Sequence, residues 1–325
     1  MTYVPLEEAG RVFTNATPKM AKLLSWKYAN MTGQKVLEDL QSNHGVKISK
    51  KFLQSVNERV GEVAIAKEAK WTYDDGVAVD KVKSIAISRD GTTAPIKGEG
   101  YKETMVGTIG LYNGQGKRLH TIYTGCPPEE GKATFDYVFS QEIERTLSRY
   151  PQALTVAVAD GARDNWSFLG DYTSQQTIDF WHATEYLAAY SQEVYSVQEE
   201  RKEWMDKTCH DLKHEYHGAD QILEQMQEYA FEHSITDKLN PITKAITYFT
   251  NNKDKMTYAE NLDKGLPIGS GVVEAGCKTL VKQRFSKSGC RWTRDTMDRI
   301  LLARSLVLTN GRWNQFWNKI DRYGF

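Results

Sequence analysis

The sequence predicts an α/β protein in which a mixed sheet follows an N-terminal helical segment and is interrupted by an all-α insertion. Three observations carry that reading. Apolar spacing is helical over residues 17–66 and turns β-like between 82 and 125. ALTVAVAD (153–160) is near-continuously apolar, as a strand covered on both faces should be. Residues 183–263 are helical, acidic and tyrosine-rich, with no convincing strand. The boundaries fall at 1–70 for the helical segment, 71–182 for the first part of the core, 183–264 for the insertion and 265–325 for the completion of the core.

In the first segment Leu37, Leu40, Val46, Ile48, Phe52, Leu53, Val56 and Val60 supply the apolar positions. Thr32-Gly33 opens QKVLEDLQSN, His44-Gly45 breaks it, and Ser49 is a good N-cap for KKFLQSVNERVGEVA. Two short helices joined by a glycine-containing turn read as helix-turn-helix-like, with Lys50 and Lys51 at the start of the second helix as DNA contacts. The plainer alternative is a helical hairpin packed on the main domain. VKSIAISRD, ETMVGTIGLYN and RLHTIYTGC then read as an antiparallel meander. FDYVFSQEIERTLSRY is an amphipathic helix with Tyr137, Val138, Ile143 and Leu147 on one side, and ALTVAVAD and the weaker TSQQTIDF complete the strands. After Pro267-Ile268-Gly269-Ser270-Gly271 a helix is expected from about Val272 to Lys287, ended by Ser288-Gly289. A last amphipathic helix spans Thr293 to Thr309, and an aromatic tail (Trp313, Phe316, Trp317) follows. The order β-β-β-α-β-α/β is ribonuclease H-like, an architecture that sets the ends of the first and fourth strands side by side.

Composition excludes less than it permits. At 325 residues the chain is long enough for two or three domains, and its 42 basic and 42 acidic residues cancel, so net charge says nothing about nucleic acid. The distribution says more. Glu185 to Lys238 carries 13 acids and 5 Lys/Arg, whereas Cys277 to Phe325 carries 11 Lys/Arg and 3 acids. A basic block is suited to phosphates, although two solvated helical faces of opposite sign would read the same way. Cys126, Cys209, Cys277 and Cys290 form no C-x-x-C pair and read as free thiols in a reducing cytosol. MTYVPLEEAGRVF has no apolar signal region and no stretch approaches a membrane span, so a cytoplasmic protein without membrane contact is expected.

The chemistry-bearing residues are three acids. Asp90 closes SIAIS-Arg89, Asp160 closes LTVAVA, and Glu274 opens the helix of PIGSGVVEAGCKTLVKQR. Acids at the carboxyl ends of strands point into the crevice where α/β sheets bind ligands. Three hard oxygen donors there suit two Mg2+ or Mn2+ ions, and such a pair, about 3.5–4 Å apart, both activates the attacking oxygen and stabilises the leaving one in phosphodiester chemistry. Each acid also has a plain reading: Asp90-Gly91 and Asp160-Gly161 as turns, Glu274 as a first-turn acid favoured by the helix dipole. Lys278 and Lys282 follow Glu274 at helical spacing, and Arg284 and Arg291 extend the same basic stretch toward a DNA backbone. Asp179 and His182 would stand near Asp160 if their strand neighbours ALTVAVAD, with a satisfied core histidine as the alternative for His182. Cys209, His210, His214 and His217 hint at zinc without a paired C-x-x-C, and the glycines of GSGVVE follow no clear strand of a dinucleotide-binding unit.

SRDGTTAP, VAVADGARDNW, TIDFWHATEYL and above all PIGSGVVEAGCKTLVKQRFSKSGCRW resemble the DDE transposases of ISKra-type bacterial insertion sequences, relatives of the Mutator-like group. The resemblance spans about residues 1–310, and Asp179/His182 is similar to the C/D-x-x-H motif of the wider group. It implies a ribonuclease H-like domain with an all-α insertion, and Asp90, Asp160 and Glu274 as the triad. It further implies magnesium-dependent cleavage and strand transfer at element ends on double-stranded DNA. A homodimer or higher oligomer on DNA, located at the bacterial nucleoid, is expected with it. That group carries a further N-terminal DNA-binding region, whereas this chain begins close to the helix-turn-helix-like segment, as a shortened copy would. The competing expectations are a nuclease or resolvase that cuts without joining, a catalytically silent DNA-binding derivative, and a glycosidase with paired carboxylates, which the basic C-terminal block suits poorly.

Overall fold

A computed structural model describes Val12 and residues 14–324. The stretch 1–11, part of the segment on which the resemblance was drawn, lies outside the described residues. Five strands form one mixed sheet: β1 (Ser84–Ile96), β2 (Gly100–Tyr112), β3 (Arg118–Cys126), β4 (Leu154–Ala159) and β5 (Gln175–Ile178), in the order β3-β2-β1-β4-β5. The first three pair antiparallel as a meander, and β4 and β5 run parallel to β1.

Three helices precede the sheet: α1 (Pro18–Asn30), α2 (Gly33–His44) and α3 (Lys50–Glu68). Their boundaries follow local chemistry. The hydroxyls of Thr17, Thr32 and Ser49 accept from backbone amides in the first turns, and Gly45 ends α2 with φ 63°. α4 (Ala133–Arg149) lies between β3 and β4, and α5 (Arg163–Leu169) between β4 and β5. Together they cover one sheet face: Ile85, Ile87, Ile109, Ile122 and Ala157 pack against Phe135, Phe139, Ile143 and Leu169. The other face carries α11 (Gly271–Gly276), a π-helical turn (Cys277–Lys282), α12 (Gln283–Phe285) and α13 (Arg294–Leu308), reached after a run of helices that follows β5. There Val106, Ala94 and Ile96 meet Val273, Leu280, Val281, Phe285 and Leu301. Two covered faces explain why the first half of β1, Ser84 to Arg89, is buried at every position rather than at alternate ones.

Between the layers the chain makes a helical body of its own: α6 (Phe180–Val194), α7 (Gln198–His214), α8 (Gly218–Glu232), α9 (Pro241–Asn252) and α10 (Tyr258–Asp263). Leu187, Tyr190, Leu212, Ile222, Met226, Ala245 and Phe249 form its core.

Three readings are corrected. Asp90 does not close β1, and Asp90-Gly91 is no turn. Pairing with β2 carries the strand on through Asp90↔Val106 to Ile96↔Gly100, well past Ile87↔Ala157, where its pairing with β4 ends. The helix after Ser270 is not a uniform run, because its middle widens to a π-helical turn. Trp313, Phe316 and Trp317 are no tail. They lie on α14 (Arg312–Tyr323) and complete the core of α1–α3 with Leu24, Leu40, Leu53, Val56 and Val60.

Candidate active site

Asp90, Asp160 and Glu274 line one pocket of about 30 Å³, with Arg89, Ala159, His182, Ser270 and Val273. That is space for a single water or ion. Each acid arrives from a different element. Asp90 projects from β1 just beyond the point where β4 stops, Asp160 follows the last residue of β4, and Glu274 stands in the first turn of α11. The splaying of β1 from β4 past Ile87↔Ala157 opens the space that the third acid enters.

Each carboxylate is held by its neighbours. One Asp90 oxygen accepts from the Gly91 amide at 2.7 Å and the other from the Cys277 thiol at 3.5 Å. Burial pushes the Asp90 carboxyl up, and the negative charge of Asp160 adds to that, while the two hydrogen bonds and His182 pull the other way. Burial and the adjacent Asp90 push the Cys277 thiol up as well, keeping it a protonated donor. Asp160 Oδ1 accepts from the Ala162 amide (3.1 Å) and from Asn165 Nδ2 (2.8 Å). Asn165 is in turn held by the fully buried Arg89, whose guanidinium also binds Asp136 (2.6 Å) and Asp164 (2.9 Å). Glu274 Oε1 accepts from the Ser270 hydroxyl at 2.8 Å.

Asp179 is fully buried and works as a fastener. It caps α6 through the Trp181 amide (2.7 Å), accepts from the amide of Ser270 (3.1 Å), and contacts the Ser270 hydroxyl. That hydroxyl lies between the Asp179 and Glu274 carboxylates and, with one proton, donates to one of them at a time. β5 pairs with β4, so Asp179 and His182 do stand beside the second acid. His182 is no core histidine: it is partly exposed, lines the pocket, and has Glu185 at 3.9 Å.

The donor chemistry fits a divalent cation: three carboxylates around one small space. The fit is incomplete, since among the described residues no three His, Cys, Asp or Glu side chains are drawn together as a ligand set. Ser270 and Cys277 occupy oxygens of Glu274 and Asp90 that a metal would use. Cys209, His210, His214 and His217 form no such group either.

The expected DNA contacts divide. Lys278, Lys282, Arg291, Lys50 and Lys51 are exposed. Arg284 is corrected: it is fully buried, donates to the Tyr28 carbonyl at 3.0 Å, and packs on the rings of Tyr28, Phe285 and Trp292. Arg304 and Arg312 of the same block are buried too, the first on the carbonyls of Ala29 and Leu280 and the second on Glu142. Much of the basic block thus holds the fold together. Sequence reasoning missed Ser270, Cys277 and Asn165. Serine four residues before Glu274 is a one-turn spacing that pointed to the first of them.

No family model matches the chain, and no curated protein matches it.

Proposed function

We propose that the chain is a DDE transposase, cutting DNA and joining the freed end to a target. The observation that carries this is the meeting of Asp90, Asp160 and Glu274 in one pocket although the last two lie 114 positions apart in the chain. The sheet order β3-β2-β1-β4-β5, with an antiparallel meander followed by two parallel strands, supports the ribonuclease H-like reading, and α6–α10 stand where its insertion is expected. A π-helical turn beginning at Cys277, which bonds Asp90, is a feature frequent at functional sites.

In the first step water forms a bond to phosphorus, the P–O3′ bond breaks, and the departing oxygen leaves as a 3′-hydroxyl. In the second that hydroxyl attacks a target phosphodiester and displaces a second 3′-oxygen. Asp90, Asp160 and Glu274 would hold Mg2+ or Mn2+, which lowers the pKa of the attacking oxygen and stabilises the leaving one. Asn165 would fix the aim of Asp160, Cys277 and Ser270 would hold the carboxylates of Asp90 and Glu274, and His182 would donate to a phosphate oxygen.

Asp90→Asn, Asp160→Asn and Glu274→Gln should each lower Mg2+- or Mn2+-dependent cleavage of element-end DNA at least about a hundredfold, since even outer partners of metal ligands are worth 10–100-fold. Cleavage surviving in the triple variant would sink the assignment, and products that are cut but never joined would favour a nuclease. The engagement of Asp90 and Glu274 by Cys277 and Ser270 favours a second reading, a silent DNA-binding derivative. Salt-dependent DNA binding with no cleavage at any Mg2+ or Mn2+ concentration would select it.

A further inference from the structure

Beside Asp160 a second and larger cavity opens between the sheet edge and the helical insertion. It has a volume of about 960 Å³ and runs from Gly161, Arg163 and Trp166 to Tyr186 on α6 and Lys244 and Tyr248 on α9. Its charge is the reverse of its surroundings. The insertion is strongly acidic, yet the lining holds Arg163, Lys238, Lys244 and Lys255 and no acid. Among the described residues Arg163, Lys238 and Lys244 form no ion pair and are exposed, while Lys255 lies 5.6 Å from the centre of the Trp166 ring. Such cations are not engaged in holding the fold, unlike Arg284 and Arg304.

The wall is aromatic as well as cationic. Tyr186 and Tyr248 stack at 3.8 Å between centroids and 12° between planes, and both keep part of their surface open. Among the described residues Trp166 Nε1, Thr243 Oγ1 and the Tyr248 hydroxyl, all in this wall, find no hydrogen-bond partner. A wall of unneutralised cations and ring faces is the chemistry that takes a nucleic-acid strand with bases out of the duplex: cations follow the phosphates and rings stack on bases. The cavity is of nucleotide size, whereas a duplex needs a broad surface. Its position sets the register. Gly161 lies in the wall and Asp160 in the acid pocket, and the charge of Asp160 reaches Tyr248, whose phenol burial pushes up.

We propose that this groove holds an unpaired DNA segment next to the phosphodiester presented to Asp160. The proposal rests on the reading of the acid pocket as a DNA-cleaving site and adds where the strand leaves it. The experiment is fluorescence anisotropy of the full chain in EDTA, with a single-stranded oligonucleotide, the same sequence as a blunt duplex, and a duplex with an unpaired flank. Lys238→Glu/Lys244→Glu should weaken binding of the single strand and the flanked duplex at least tenfold. It should also lower the salt slope by about 1.4, at roughly 0.7 per phosphate contact on a single strand. Tyr186→Ala should weaken the same ligands about 5- to 150-fold, as loss of one stacked base does.

Equal binding of parent and lysine variant to the single strand, with both folded by circular dichroism, would overturn the groove. So would a lysine effect of the same size on the blunt duplex. The two readings fail separately. A chain that binds single strands through these lysines but never cuts loses the enzyme and keeps the groove, whereas one whose groove variants bind and cut like the parent keeps the enzyme alone.

Discussion

At the scale of single residues the candidate site depends on side chains that touch no substrate. Asn165 joins Arg89 to Asp160 by two hydrogen bonds of 2.9 and 2.8 Å. Asn165→Asp replaces the amide donor by a carboxylate facing Asp160. It should lower metal-dependent cleavage about 10–100-fold with single-strand binding in EDTA retained, and restoration in Asn165→Gln would point to the donor rather than to packing. Far from that pocket, Glu68 accepts from Tyr73 at 2.8 Å under Arg312 and Glu142, and burial raises its carboxyl from 4.5 to about 7. A group raised in the folded state contributes fully below its unfolded value, and the contribution is lost as pH climbs through the folded one. The chain should therefore lose stability between pH 4.5 and 7, on the order of 1–2 kcal/mol because Glu68 keeps some contact with water. Thermal melts of Glu68→Gln should match the parent at pH 4.5 and exceed it at pH 8, and parallel curves would contradict this assignment.

At the scale of elements, what could be read from the chain was local, and what escaped was set by partners elsewhere in it. Ser49 read as an N-cap, and Thr32 and Thr293 as the starts of helices, because a hydroxyl before an apolar-periodic run has a local use, and all three accept from their own helices. The end of β1 was illegible because Asp90-Gly91 has turn chemistry, and only pairing with β2 overrides it. Asp160 and Glu274 were legible as a strand end and a helix start, but Ser270, Cys277 and Asn165 acquire their roles from carboxylates brought to them by the fold. Arg284 read as a surface cation because sequence does not show the rings that enclose it. The contact between β2 and α4 tests this layer. A side chain at Gly107 would stand 2.6 Å from the Phe139 ring, itself fully buried. Gly107→Ala should cost about 1–3 kcal/mol by overpacking, seen as a lower denaturation midpoint at unchanged m. Gly45→Ala, whose cost is only backbone strain at φ 63° in open space, should cost less.

At the scale of the whole molecule, the first helices and the last share one core. Leu24, Leu53 and Val60 meet Leu306, Trp313, Phe316 and Trp317, and Gln315 receives the Asp74 amide at 2.7 Å. Trp317, 2 % exposed, is the more deeply buried of the two tryptophans in that core. Trp317→Ala should cost about 3–5 kcal/mol, and hydrogen exchange should then quicken in α1–α3 as strongly as in α14. Exchange confined to α14 would show that the early helices stand without it. The shared core also bears on how the chain is made. Synthesis at about 5–20 residues per second leaves the early helices without their closing tryptophans for some tens of seconds. Through that interval Leu24, Leu40, Leu53 and Val56 present an open apolar face on the nascent chain. The protein thus finishes its beginning late, and the ribosome-bound intermediate is the stage at which a holding chaperone has the most surface to grip.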